Sequence, residues 1–372
     1  MTMKHSARAM GIICGILLLL NILARCSRAF SDWYISHIFP VFSDFWAGIA
    51  GAFPFSVGEV LICLAVLIGI PAIAAFPLLM GFLKKHRRRI LCIYGSFFGW
   101  ILTWIFTALT LHFFILYQCT PIGELYYPDT PETYTAQEIR PVIKHMIAEA
   151  NALAAVVSRD ENGNFILTDD LQTEAKAAMQ EIAPEFPQFA GNYPDAKAIH
   201  FSYVMSHQRI TGIYYPFTME ANYNKDICPI NLPFTVCHEF THLKGTILED
   251  EANFLAFLAC IRSESAEFRY SGYIQALEYM MDLVWEIDPS GALASELSEQ
   301  AWMDMYQFLP DGYFEEEEHA LPDVISEEVV EEVSGTLLDA NLVINGVEDG
   351  SLSYGRMVDL LLDYYIQGGQ HS

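Results

Sequence analysis

The chain has 372 residues, 53% of them hydrophobic and 13% aromatic, with 20 Lys and Arg against 46 Asp and Glu and a formal net charge of −26. That aromatic content argues against a disordered chain, and a surface of that sign repels phosphates, so nucleic acid is excluded as the default partner. The charge is also uneven: residues 1–118 hold nine basic and three acidic side chains, leaving 11 basic and 43 acidic ones in 119–372. A hydrophobic, basic first third joined to an acidic remainder is the pattern of a membrane anchor (1–118) carrying a water-exposed domain (119–372), with the lipid bilayer as one partner.

Three apolar runs, at about residues 10–25, 57–83 and 90–118, are expected to be transmembrane helices. The first is short and has a signal peptide as its rival reading, but no small-x-small cleavage site follows it, which favours an uncleaved span. The second contains Pro71 and Pro77, which predict a kink. Between the second and third lies Lys84-Lys85-His86-Arg87-Arg88-Arg89, and the positive-inside rule places this loop in the cytoplasm. Everything after about Cys119 is then extracytoplasmic. Residues 29–55 are aromatic and weakly charged and are expected to lie along the outer interface.

In the outer domain, Thr135-Ala136-Gln137-Glu138 reads as a capping box opening a helix to about Val157. A second helix is expected over Leu171–Ile182, then strands over Ala198–Val204 and Ile210–Phe217. Pro216 marks the second of these as an edge strand, because proline cannot donate to a ladder. Helical patterns follow at Pro233–Lys244, Asp250–Arg262, Ala266–Ile287, Gly291–Phe308, Glu327–Asn341 and Tyr354–Ile366. The acidic run Glu315–Glu318 reads as a solvated loop. Cys119, Cys228, Cys237 and Cys260 fit no Cys-x-x-Cys pattern.

His238-Glu239-Phe240-Thr241-His242 fits the His-Glu-x-x-His pattern, with Pro233 as a helix start five residues earlier. At i and i+4 the two imidazoles share one helical face and can reach one Zn²⁺, while Glu239 is directed at the water that attacks a carbonyl and can take its proton. With this composition the pentapeptide arises by chance in roughly two or three of a hundred such chains, so its context matters. Gly245 ends the helix, and Glu249-Asp250-Glu251-Ala252-Asn253 opens the next one. A third ligand from that helix would complete a two-His-one-carboxylate site, with Glu249 and Glu251 as candidates. Asn253, four residues after Glu249, could orient a ligand imidazole. The expected edge strand, Ile210–Tyr215, could pair with an extended peptide, and Glu220-Ala221-Asn222 could border the cleft. His207, Tyr354 and Arg356 are candidate donors to a developing oxyanion.

These residues resemble the zincin metallopeptidases in which a Glu-x-x-Ala-Asp/Asn helix follows the His-Glu-x-x-His helix, among them the CAAX prenyl protease, HtpX-like and ImmA-like families. The three spans, Cys237-His238-Glu239, the short spacer to Gly245, Glu249–Phe254, Phe257-Leu258-Ala259-Cys260 and Ser353-Tyr354-Gly355-Arg356 resemble a bacterial family of uncharacterised membrane proteins, domain-of-unknown-function family 3810. The resemblance implies an α+β, mostly helical zincin-like metallopeptidase domain with a small sheet, preceded by three transmembrane helices. It implies a multi-pass protein of the bacterial plasma membrane that binds Zn²⁺ through His238, His242 and a following Glu. Glu239 would act as base on a peptide or protein substrate. One departure from the better-known peptidases is the spacer of only six residues between His242 and Glu249.

Overall fold

A computed structural model of the chain describes residues 3–128, 130–131, 133–315 and 355–368. The chain divides into two units, Met1–Thr120 with Tyr215–Glu220, and Pro121–Tyr214 with Ala221–Ser372.

The first unit is helical: α1 (Met3–Cys26), α2 (Arg28–His37), α3 (Phe39–Gly51), α4 (Val57–Phe82) and α5 (Arg87–Leu109). Three stretches among the described residues are long and apolar enough to cross a membrane: His5–Cys26, Val57–Phe82 and Lys84–Gln118. Their apolar side chains are largely exposed, as expected where lipid rather than protein covers them. The expected kink region of α4 is an unbroken helix through Pro71 and Pro77. The aromatic segment after α1 forms α2 and α3, the first opened by Ser27, whose Oγ accepts from the Phe30 N–H.

Polar pairs fasten α1 to the last span, where few competing partners exist in hydrocarbon. Asn21 Nδ2 donates to Thr110 Oγ1 at 2.9 Å, and Ser6 Oγ lies 3.2 Å from Ser96 Oγ. At the start of α4, Glu220 accepts from the backbone N–H groups of Val57 (2.9 Å) and Gly58 (2.7 Å), while Ser56 Oγ accepts from Glu59 N–H. Donors left over at a helix N-terminus are thereby satisfied, one residue by local capping and two by a carboxylate 162 and 163 positions away in sequence. Phe217 packs on Trp104, and the Pro216 carbonyl accepts from His112 Nδ1 at 2.7 Å.

The second unit holds α6 (Ile122–Tyr126), α7 (Ala136–Ala154), α8 (Leu171–Ile182), β1 (Lys197–Ile199), α9 (Ser202–His207), β2 (Gly212–Tyr215), β3 (Glu220–Asn224), α10 (Leu232–Leu243), α11 (Glu249–Arg262), α12 (Ala266–Ile287), α13 (Glu299–Met305) and α14 (Gly355–Gly368). The described architecture is thus mostly helical with a small sheet. The capping box is present, with Thr135 N–H donating to Glu138 Oε2 at 2.9 Å. Asp170 caps α8 through the Thr173 N–H.

At the centre lies α11. From Asp250 to Cys260 every residue is buried, among them Phe254, Leu255, Phe257 and Leu258, so this helix has no polar face and is enclosed by α8, α10, α12 and α14. The α11–α12 crossing is close: a Cβ on Gly272 would stand 2.6 Å from Cys260 Cβ. No disulfide forms among the described residues, and the buried Cys237 and Cys260 remain thiols.

The sheet has the order β1-β3-β2, with β1 parallel to β3 and Lys197 opposite Asn222. The second expected strand is accordingly at an edge. Two expectations are corrected, and one strand, β3, is additional to those expected. The segment Ser202–Val204 is helical, not a continuation of β1; Ser202 Oγ bonds Asp226 at 2.7 Å and Ser206 Oγ bonds back to the Ser202 carbonyl, a local pattern that overrides the strand preference of Tyr203 and Val204. The central strand β3 is polar. The expected helix 291–308 is broken: Ser298 caps a fresh start through the Ala301 N–H, leaving only α13 after a short 3₁₀ turn. The expected helix Glu327–Asn341, residues 316–318 of the acidic run and Tyr354 lie outside the described residues.

Candidate metal centre

Pro233 in its first turn starts α10, and the helix stops where Gly245 takes φ +100°, a left-handed conformation that glycine adopts without a Cβ clash. The Gly245 N–H bonds the His242 carbonyl and the Thr246 N–H bonds the Thr241 carbonyl, at 3.0 and 3.1 Å. This reversal leads into α11 after a spacer of only six residues beyond His242, so the first turn of α11 lies against the last turn of α10.

Three side chains meet there. His238 Nε2 lies 3.0 Å from His242 Nε2 and 3.2 Å from Glu249 Oε2, and His242 Nε2 lies 3.7 Å from Glu249 Oε1. These three residues form a cluster able to offer one ligand atom each to a single ion. The separations bracket the edge of a tetrahedron with metal–ligand bonds of ~2.0–2.1 Å, which is about 3.3 Å. Glu249 is the most open of the three, with 28% of its side chain exposed against 14% and 8% for His238 and His242. The donor set, two imidazole nitrogens and a carboxylate oxygen, suits zinc.

The backbone selects the His242 tautomer. Its Nδ1 sits 2.6 Å from the Thr246 carbonyl, so Nδ1–H donates and Nε2 faces Glu249 and His238. Burial disfavours the charged imidazolium of His242, but the adjacent Glu249 carboxylate outweighs it and raises the pKa to about 9. Burial likewise opposes a charged Glu249, and the two imidazoles overcome this to hold its carboxyl well below the usual range. The cluster is therefore built to accommodate positive charge at its centre.

Glu239, 4% exposed, lies beside the triad and outside it. Its Oε2 is buried and makes no hydrogen bond among the described residues. Burial raises its pKa to about 7 despite the opposing pull of His238 and His242. The start of β2 lies against this carboxylate: a Cβ on Gly212 would come within 2.4 Å of Glu239 Oε1 and 2.8 Å of Thr235 Cγ2. The Tyr214 ring on the same strand is 6.2 Å from the His242 ring.

The other candidates are placed elsewhere. Glu251 accepts the Ile122 N–H in a buried setting, and burial raises its pKa to about 8. Two residues along a helix is a rotation of about 200°, so Glu249 and Glu251 point to opposite sides of α11. Arg356 Nε lies 3.5 Å from Asp250 Oδ2, next to Glu249 in the chain. His207 ends α9 with its ring 4.7 Å from Phe314. Asn253 is buried, and its Nδ2, like His238 Nδ1, has no hydrogen-bond partner among the described residues. Sequence reasoning missed Gly212 and the Thr246 carbonyl. The glycine opening an expected edge strand was the available signal for the first; the second is a backbone atom with no residue-type signature.

No curated protein and no solved structure matches the chain. A family model matches it over residues 34–362, which takes in two of the three apolar spans, the whole cluster and most of α14. The chain belongs to the family described as Protein of unknown function (DUF3810).

Proposed function

We propose that this protein is a membrane-anchored zinc metallopeptidase of zincin type. The observation that carries the reading is the convergence of His238, His242 and Glu249 at ligand-to-ligand distances beside the buried Glu239 carboxylate, whose Oε2 has no hydrogen-bond partner among the described residues. A Zn²⁺ held by these three residues would supply a Lewis acid that polarises a peptide carbonyl and acidifies water. Thr246 fixes His242 in the tautomer that presents Nε2 to the ion. Glu239 takes the proton of the attacking water at Oε2 and passes it to the leaving amine. An extended peptide or protein substrate pairs with β2, the sheet edge that runs past Glu239. Following the charge of the 84–89 loop, the catalytic domain faces away from the cytoplasm of a bacterial plasma membrane.

The test is hydrolysis of a broad peptide library by the full chain in detergent, with zinc content measured in parallel. Peptide cleavage abolished by chelation and restored by zinc is expected. Stoichiometric zinc without cleavage of any library member would contradict the peptidase reading and leave a zinc-binding membrane module. The position of β2 yields a narrower prediction. Gly212→Ala forces the Glu239 carboxylate to move, and a misplacement of about 1 Å costs on the order of 100-fold in rate. Turnover of Gly212→Ala is expected to fall by roughly 10- to 100-fold while zinc content stays at the wild-type level.

A further inference from the structure

The membrane unit carries a groove of about 780 Å³, open on one side, whose lining includes Ser6 of α1 and Arg89, Ser96, Phe97, Trp100 and Trp104 of α5. The α5 residues recur at spacings of three, four and seven, so they form one face of that helix. Phe97, Trp100 and Trp104 are 48%, 37% and 44% exposed, and no protein segment among the described residues covers them fully. The polar groups inside are already engaged with each other, Trp100 Nε1 donating to Ser6 Oγ at 2.7 Å and Ser6 lying against Ser96. The wall is otherwise apolar, and one end is cationic.

That end is Arg89, the last of Lys84, Lys85, Arg87, Arg88 and Arg89, and among the described residues none of the five forms an ion pair. We propose that this groove binds one anionic phospholipid, its phosphate at Arg89 and an acyl chain along Phe97, Trp100 and Trp104. Length and charge both select this occupant. From Arg89 to Trp104 is 15 residues of helix, about 22 Å. One leaflet contributes about 15 Å of hydrocarbon, half of a ~30 Å core, and the remaining ~7 Å is the depth of a headgroup region. A zwitterionic lipid fits the wall equally well but carries an ammonium to a site already rich in cations. A second copy of the chain would bring its own basic 84–89 segment against the same end. An anionic headgroup satisfies the unpaired arginine, and each cation near a membrane surface favours anionic lipid by about 1 kcal/mol, or roughly five-fold.

The test uses the full chain in phosphatidylcholine vesicles doped with phosphatidylglycerol brominated in its acyl chains, with brominated phosphatidylcholine as the comparison probe. Bromine quenches tryptophan fluorescence on contact, so the quenching lost in the Trp100→Phe, Trp104→Phe double variant, which retains Trp33, Trp46, Trp285 and Trp302, reports occupancy of the groove. Stronger quenching by the brominated phosphatidylglycerol is expected, with a preference of about five-fold that Arg89→Gln abolishes and Trp100→Phe with Trp104→Phe renders invisible. Arg88→Gln, one residue away and off the groove wall, keeps most of the preference. Equal quenching by the two lipids would overturn the proposal. So would equal losses in Arg88→Gln and Arg89→Gln, which would mean diffuse attraction without a site, or a groove closed to both lipids by self-association. Circular dichroism of each variant separates loss of binding from loss of fold.

Discussion

Replacing Glu239 with Gln is expected to lower peptide hydrolysis by about 10²- to 10⁴-fold, the range for removing a positioned general base, and to leave zinc content unchanged. The substitution keeps the shape and the buried position of the side chain, including the close approach of Gly212, and removes only the ability to accept a proton. Because Glu239 lies outside the His238, His242 and Glu249 cluster, the three proposed zinc ligands are untouched. The variant therefore separates proton transfer from metal binding. A Glu239→Gln protein that cleaved as well as the wild type would end the assignment of this carboxylate as base, whatever its metal content.

The largest effect on stability is expected at Asp304. This residue is fully buried and holds Arg159 through two bonds, Nη2 to Oδ2 at 2.8 Å and Nη1 to Oδ1 at 3.1 Å, while the Tyr270 hydroxyl donates to the same carboxylate. The arrangement ties α13 to α12 and to the loop after α7. Asp304→Ala removes the carboxylate that pairs, among the described residues, with an arginine only 18% exposed at its side chain, and breaking such a pair from one side costs about 3–5 kcal/mol. For a unit of this size that lowers Tm by on the order of 10 °C, readable from intrinsic fluorescence during thermal unfolding. Tyr270→Phe, which removes the hydroxyl's bonds to Asp304 and from Arg159 Nη2 and keeps the ion pair, is expected to cost only about 2 kcal/mol. Equal shifts in the two variants would show that the ion pair is not what holds α13 in place.

The meeting of His238, His242 and a carboxylate of the next helix was legible in sequence because it depends on spacing along helices. Two histidines four apart must share a face, and a glycine that stops their helix must bring the next one close. The choice between Glu249 and Glu251 was not legible, since both suit the first turn of α11 and only the packing of that helix decides which of two opposite faces meets α10. The long helices were read to within a residue or two where apolar periodicity and caps agreed, as in α8 and α12. The sheet was harder. Its central strand, Glu-Ala-Asn-Tyr-Asn, has little strand preference, and its polar side chains are buried through bonds to distant partners: Asn222 Nδ2 to the Ile213 carbonyl, Asn224 Nδ2 to Ser206 Oγ, and Glu220 to the start of α4. Those bonds are tertiary, and no local pattern announces them. The break before α13 rests on a single serine cap, a signal too common in sequence to outweigh an apolar period.

The most direct test of the account is the metal content of the purified full chain, wild type beside His238→Ala, His242→Ala, Glu249→Ala and Glu251→Ala. One zinc per chain is expected in the wild type and in Glu251→Ala, with stoichiometric metal lost in the other three. A wild-type protein that retains no stoichiometric metal under zinc-replete purification, or a Glu249→Ala variant that holds as much as the wild type, would contradict it.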